Sequence, residues 1–205
     1  MLRQYENQYH RRNLYLDFDL EDAAQLSQFV RETSRTLQVM LPSVEQEKIA
    51  ILQDLGFTLR RRCHLMEVSA AAYLGETTFG PLNCAERGDE AYLRCAEHLF
   101  QHYCTTHQAI NPWTADFEAF AKQLPEMVWH DNEGNFAFVE EEEIAFVCGG
   151  VGFERFAACL LTKLFAEYAM ISFEADDCDP FAMQLRAMFE DSAGESYDTY
   201  LYEVT

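Results

Sequence analysis

The feature that most constrains this chain is an alternation of hydrophobic period that occurs twice. From Leu14 to Val68, and again from Ile144 to Val204, short apolar runs alternate with stretches of helical period. The first passage reads LYLDFD (14–19), EDAAQLSQFVRETSR, LQVMLP (37–42), VEQEKIAILQDL and CHLMEV (63–68). The second reads IAFVCG (144–149), FERFAACLLTKLFAEY, MISFEA (170–175), PFAMQLRAMFED and TYLYEV (199–204). Pro180 opens the last helix of the second passage, where a first turn tolerates proline. Each passage predicts a β-α-β-α-β unit, and such alternation points to an α/β layer structure. The likeness between the two is one of element order, with Leu, Glu and Val matching at the closing strands.

The material between the passages has no counterpart in the first. SAAAYLGETTFG (69–80) reads as a connection, and GPLNCAE as a strand. A long helix is predicted from Asp89 to His107 and a second from Trp113 to Val128, separated by INPWT. His130 to Asn135 reads as a turn and Phe136 to Val139 as a strand. Glu140 to Glu143 forms a hairpin tip or a charged strand edge, before the strand from Ile144 to Cys148. The predicted organisation is therefore a partial unit over residues 1–75 and a full one over 76–205.

Charge divides the chain at the same place. Residues 1–75 hold nine Lys/Arg against ten Asp/Glu, whereas residues 76–205 hold six against twenty-five, a balance of −19 within a total of −20. Such a field repels nucleic acid and anionic membrane and attracts cationic partners, when it does more than keep a protein dissolved. Seven irregularly spaced cysteines, with no CxxC, suit a reducing cytoplasm better than a disulfide framework. The opening MLRQYENQYHRRNLYL lacks the pattern of a signal peptide, so a cytoplasmic protein is expected. Cys95, His98 and His102 share one helix with the histidines at i and i+4. No distant third ligand accompanies them, and no metal is expected.

The stretch GGVGFERFAACLLTKLF (149–165) carries the most chemistry. Free N–H groups and the positive dipole end at a helix start can hold phosphate, and glycines let a ligand approach the backbone. Arg155 lies in the first helical turn, within reach of such an anion. The alternative is a plain bend between strand and helix. The corresponding turn of the first passage, Asp17 to Asp22, has no glycine and offers carboxylates instead, so no phosphate is expected there.

From Phe79 onward, the order GPLNCAE, two helices, FAFVEEEEIAFV, GGVG, MISFEA, DPFAMQLRAMF and SYDTYLYEV resembles the GCN5-related N-acetyltransferase (GNAT) superfamily. The segment LQVMLPSVEQEKIAILQDLGFTLRRRCHLMEV resembles the back half of the same fold. The resemblance implies a mixed central sheet flanked by helices, with a full C-terminal copy preceded by a partial N-terminal one. It implies acetyl-coenzyme A as acyl donor, bound between splayed central strands by Cys148, Gly149, Gly150, Val151, Gly152, Phe153, Arg155 and Ser172. It also implies transfer to a primary amine, and the acidic second unit suggests a small cationic molecule or peptide as acceptor. Two positions depart from the family pattern. Val147 stands where a Gln or Arg donor is usual, and Arg186 where a late-helix tyrosine acts as acid. Glu174 is a candidate base, Tyr200 and Tyr202 are candidate acids, and the backbone N–H near Ser172 or Phe173 is the implied oxyanion donor. The alternative is a non-catalytic GNAT-fold interaction module, for which a homodimer or other stable partner is expected.

Overall fold

A computed structural model describes residues 1–190 and 194–204. In chain order the elements are β1 (Arg3–Tyr5), β2 (Leu14–Asp17), α1 (Ala23–Glu32), β3 (Leu37–Pro42), α2 (Gln46–Asp54), β4 (Thr58–Ser69), β5 (Asn83–Glu86) and α3 (Glu90–His107). They continue as α4 (Phe117–Ala121), β6 (Met127–His130), β7 (Phe136–Glu140), β8 (Glu143–Cys148), α5 (Phe153–Glu167), β9 (Met170–Asp176), α6 (Pro180–Arg186) and β10 (Ser196–Tyr202). Among the described residues, no helix is long and apolar enough to cross a membrane.

The chain forms two compact units. The first gathers Met1–Cys63, Thr106–Ala115 and Glu195–Thr205; the second gathers His64–Thr105 and Asp116–Gly194. In the first, the strand order is β1-β2-β3-β10 followed by the opening half of β4. β2 and β3 are parallel, with Tyr15 opposite Gln38, while β10 runs antiparallel to β3. The apolar faces of α1 and α2 close over this sheet. Leu26, Leu37 and Leu52 are fully buried there beside Leu16, Val39 and Tyr200. Asp198 is 1% exposed and is held by both nitrogens of a bidentate Arg62 (2.6 and 2.8 Å) and by the Ser43 hydroxyl (2.7 Å). A buried carboxylate needs this degree of pairing to remain charged.

In the second unit, the closing half of β4 is followed by β9-β8-β7-β6-β5. α5 is helical because its apolar residues recur at helical spacing. Phe153, Phe156, Ala157, Leu160, Leu161 and Leu164 all enter one core with Ile171, Phe173, Ala137 and Val139. Its outer face carries the i,i+4 pair Lys163–Glu167 (3.3 Å).

The helix predicted from Trp113 to Val128 is the main correction. Only Phe117–Ala121 is helical, capped by Asp116, whose Oδ1 accepts from the Ala119 N–H (2.9 Å). Arg87 donates to the carbonyls of Ala121 and Leu124 beyond it. Pro125 supplies no N–H, and the chain leaves the helix for β6. There Val128 is fully buried between its partners Ala85 and Phe138. The helix predicted over 180–191 stops at Arg186, and Asp191 lies outside the described residues.

The α5 core sets the stability of the second unit. Leu161→Ala, at a fully buried position, is expected to destabilise that unit by about 2–5 kcal/mol, read as a lowered midpoint in urea unfolding.

Candidate functional site

Two irregularities of β8 make the site. The first is a bulge. β7 pairs with β8 at Phe138↔Phe146, then at Val139↔Ile144, so Ala145 is an extra residue on β8. A bulge bends its strand and interrupts the ladder. The second follows from it. β8 and β9 run parallel but are in register only at Glu143↔Ser172 and Ile144↔Phe173. Beyond that point the two strands part, and α6 packs against both. The gap thus opens immediately after Ile144 and Phe173. The Ser172 N–H is already committed to the Glu142 carbonyl (3.1 Å). Ser172 therefore cannot serve as the oxyanion donor, because the strands are still zipped together at that residue.

At the far end of β8 lies the glycine turn. Gly152 has φ +84°, a left-handed conformation that L side chains rarely adopt. The turn is held by a residue that sequence reasoning missed. Asn135, fully buried, accepts from the Gly150 N–H through Oδ1 (2.9 Å) and donates through Nδ2 to the Val151 carbonyl (3.2 Å) and to Asp131 Oδ2 (2.8 Å). Asp131 Oδ1 in turn accepts from the N–H groups of Glu133 and Asn135 (2.8 and 3.0 Å). Its one legible signal is the run Asp131-Asn132-Glu133-Gly134-Asn135, whose leading Asp marks a side-chain-closed turn.

The residues predicted to hold a cofactor now separate. Gly149 faces the Asn135 carboxamide and the Phe153 ring, which leave no space for a side chain. Gly150 faces open space, and Val151 is 90% exposed. Phe153 is buried, its ring 5.1 Å from that of Phe181, and its N–H bonds to the Gly150 carbonyl (3.3 Å). The N–H groups of Val151, Gly152, Glu154 and Arg155 have no partner among the described residues. Arg155 lines a cleft of about 170 Å³ with Gly152, Phe156, Cys159, Asp131 and Glu133. Val147, at the position of the family's usual donor, is buried in the core.

Cys148 ends β8 at 1% exposure, and burial pushes its thiol up to about 12, with the Asp179 carboxylate adding to the rise. Asp179 caps α6 through Oδ1, accepting from Phe181 and Ala182, and pairs through Oδ2 with His102 Nε2 (3.2 Å). The helical trio is thereby divided. His102 goes to Asp179, His98 packs on the Phe136 ring, and the Cys95 thiol is raised by burial to about 11.

Glu174 is exposed on β9 and lines a polar groove of about 570 Å³ beside the bulge. The groove includes Ala145, Phe146, Glu140, Glu143, Glu126, Arg87 and Lys122. Arg87 is paired with Glu126 (2.8 Å) and Lys122 with Glu118 (2.8 Å), and carboxylates outnumber cations in the lining. Glu140 and Glu143 face each other across the hairpin tip, whose Glu141 has φ +53°. Tyr200 and Tyr202 belong to the first unit. Tyr200 is buried in its core, with its hydroxyl raised by burial, and the Tyr202 ring lies 5.5 Å from Phe57. The structure does not bring them together with Glu174 in one unit.

No protein-family model matches the sequence, and no curated protein matches it. Solved structures do match. A GCN5-related N-acetyltransferase from Sphaerobacter thermophilus superposes with TM-score 0.57 at 10% identity, covering 98% of this chain and 76% of its own. Another from Kribbella flavida gives TM-score 0.53 at 12% identity, covering 99% and 90%. This chain has the GCN5-related N-acetyltransferase fold. At such identities the likeness is one of architecture, and the GNAT-fold features carried here are the parted strands and the glycine turn opening α5.

Two outcomes check this geometry. Asn135→Ala removes three hydrogen bonds that tie the turn to its neighbouring loop and is expected to lower stability by about 1–3 kcal/mol, measured by thermal or urea unfolding. With its thiol near 12, Cys148 is almost wholly protonated at pH 8. It should resist alkylation in the native protein and react only on unfolding, as followed by mass spectrometry.

Proposed function

We propose that the second unit is an acyl-coenzyme A-dependent N-acyltransferase whose acceptor is a cationic primary amine. The observation that carries this is the pair of strands parted at a bulge, with a glycine turn at the head of the parted strand. The residues at the turn fit a pyrophosphate in part. Unpartnered N–H groups at Val151, Gly152, Glu154 and Arg155 and the Arg155 side chain favour it, and the α5 dipole adds to them. Asn135 and the nearby carboxylates take up part of the turn.

When bound, acetyl-coenzyme A supplies an activated acyl thioester. The chain's own groups do the rest. Glu140, Glu143 and Glu174 give the groove a negative lining that holds a cationic acceptor against the bulge. An ammonium is not nucleophilic until it loses a proton, and the Glu174 carboxylate is the base placed beside the parted strands. A backbone N–H beyond Ile144 and Phe173, where β8–β9 pairing ends, would be the donor toward the oxygen that gains charge.

Asn135 and the carboxylates at the turn favour a second reading, a non-catalytic interaction module with the GNAT fold. Calorimetric titration with acetyl-coenzyme A, followed by assay against a panel of polyamines and basic peptides, separates the two. The transferase reading expects binding, and turnover that Glu174→Gln lowers by about 10²–10⁴-fold with little change in acetyl-coenzyme A affinity. Gly150→Asp places a carboxylate where a Cβ meets nothing within 4 Å. It should fold normally and lose binding. Binding without turnover on any amine would leave the interaction module as the function.

A further inference from the structure

Glu133 occupies an unusual position for a carboxylate in a unit of such negative charge. It stands in the loop between β6 and β7, which is locked at both ends. Asp131 Oδ1 receives the Glu133 and Asn135 N–H groups, and Gly134 turns at φ +89°. Asn135 then ties the loop to the glycine turn through the Gly150 N–H and the Val151 carbonyl. The outcome is that Glu133 projects over the head of α5. A Cβ built on Gly152 would stand 2.6 Å from Glu133 Oε2. Gly152 is therefore required twice, for its left-handed φ and for the space that the carboxylate fills.

The Glu133 side chain accepts no hydrogen bond among the described residues, and the residue is exposed. It is brought to the positive end of a helix by its loop, without a direct bond to hold it there. The side chain can rotate away without breaking a hydrogen bond, while the backbone of the loop stays fixed. Arg155 lines the same small cleft, and Glu133 and Asp131 are its acidic neighbours.

We propose that Glu133 is a built-in competitor for the anion site at the head of α5, so that it sets the affinity for the acyl donor. This rests on the transferase reading above and deepens it. An entering pyrophosphate meets the Glu133 carboxylate standing over the helix start, and the side chain swings outward as it enters. The competition disfavours every anion at this site, and only a ligand with further contacts along the parted strands overcomes it. Inorganic phosphate and pyrophosphate, which lack such contacts, are excluded. The glycine turn thus discriminates by the length of the ligand as well as by its charge.

The test compares wild type, Glu133→Gln and a charge control, Glu97→Gln, which removes an exposed carboxylate from α3 in the same unit. Acetyl-coenzyme A and inorganic pyrophosphate are titrated separately by calorimetry at low and moderate salt. Circular dichroism verifies the fold of each variant. Glu133→Gln keeps the shape and removes the charge, so acetyl-coenzyme A is expected to bind on the order of tenfold tighter. Inorganic pyrophosphate is expected to gain measurable binding that wild type lacks. Glu97→Gln is expected to change either affinity by less than about twofold, as a screened surface charge outside the Arg155 cleft does. Equal affinities in wild type and Glu133→Gln overturn the inference and leave the transferase reading in place. An equal gain in Glu97→Gln also overturns it, since the effect is then the field of the unit as a whole. Absence of acetyl-coenzyme A binding in all three proteins overturns both the inference and the transferase reading.

Discussion

The break in the ladder between β8 and β9 is the constraint on which the rest of the second unit depends. Two parallel strands normally exchange hydrogen bonds along their whole length, and unmade bonds inside a sheet are expensive. Here the extra residue at Ala145 bends β8 away after Ile144, and β9 continues without it. The cost is tolerable because both strands are anchored by their outward-facing core residues. Ile171, Phe173 and Ala175 of β9 and Ile144 and Val147 of β8 all enter the core beneath α5. α6 then covers both strands across the opening. A gap with polar backbone on its walls is the kind of structure a folded chain keeps when something is to be bound there.

Electrostatics sets the second condition. The unit is acidic, yet its charge is not spread evenly. In the groove beside the bulge, carboxylates outnumber cations, and both cations have carboxylate partners. At the head of α5, helix dipole and Arg155 work against Asp131 and Glu133 within one small cleft. The two ends of the parted strands therefore differ in charge: one is lined mainly by carboxylates, and the other sets a helix start and Arg155 against two carboxylates. The Asn135 carboxamide ties that second end to the loop between β6 and β7.

Much of this was legible in the sequence. The alternation of periods located β2, β3, β8, β9 and α5 to within a few residues, because each buries one face and its apolar spacing records which. The glycine turn was visible because left-handed backbone is written in glycine. The stretch from Trp113 to Val128 was misread for a specific reason. Its apolar residues suit a helical face, but Val128 is claimed by Ala85 and Phe138 on two neighbouring strands. Sheet pairing of that kind outweighs local propensity. Sequence alone does not separate Ser172 from Phe173 as the oxyanion donor, because the start of the gap depends on the bulge at Ala145, and a bulge leaves no mark in the sequence of its own strand. Tyr200 and Tyr202 shared a strand face by period two, but the packing of the first unit decided what that face touches.

By itself the sequence determined the order of strands and helices, the left-handed turn before α5, and the confinement of charge to one part of the chain. These are local or additive properties: spacing at i+2 and i+4, a missing Cβ, and a sum of carboxylates. Only the tertiary structure decided that Asn135 threads the turn, that Glu133 lies over its mouth, and where β8 parts from β9. Each of these joins residues that lie well apart in the chain, and their meeting is fixed by register and packing, which no local pattern encodes.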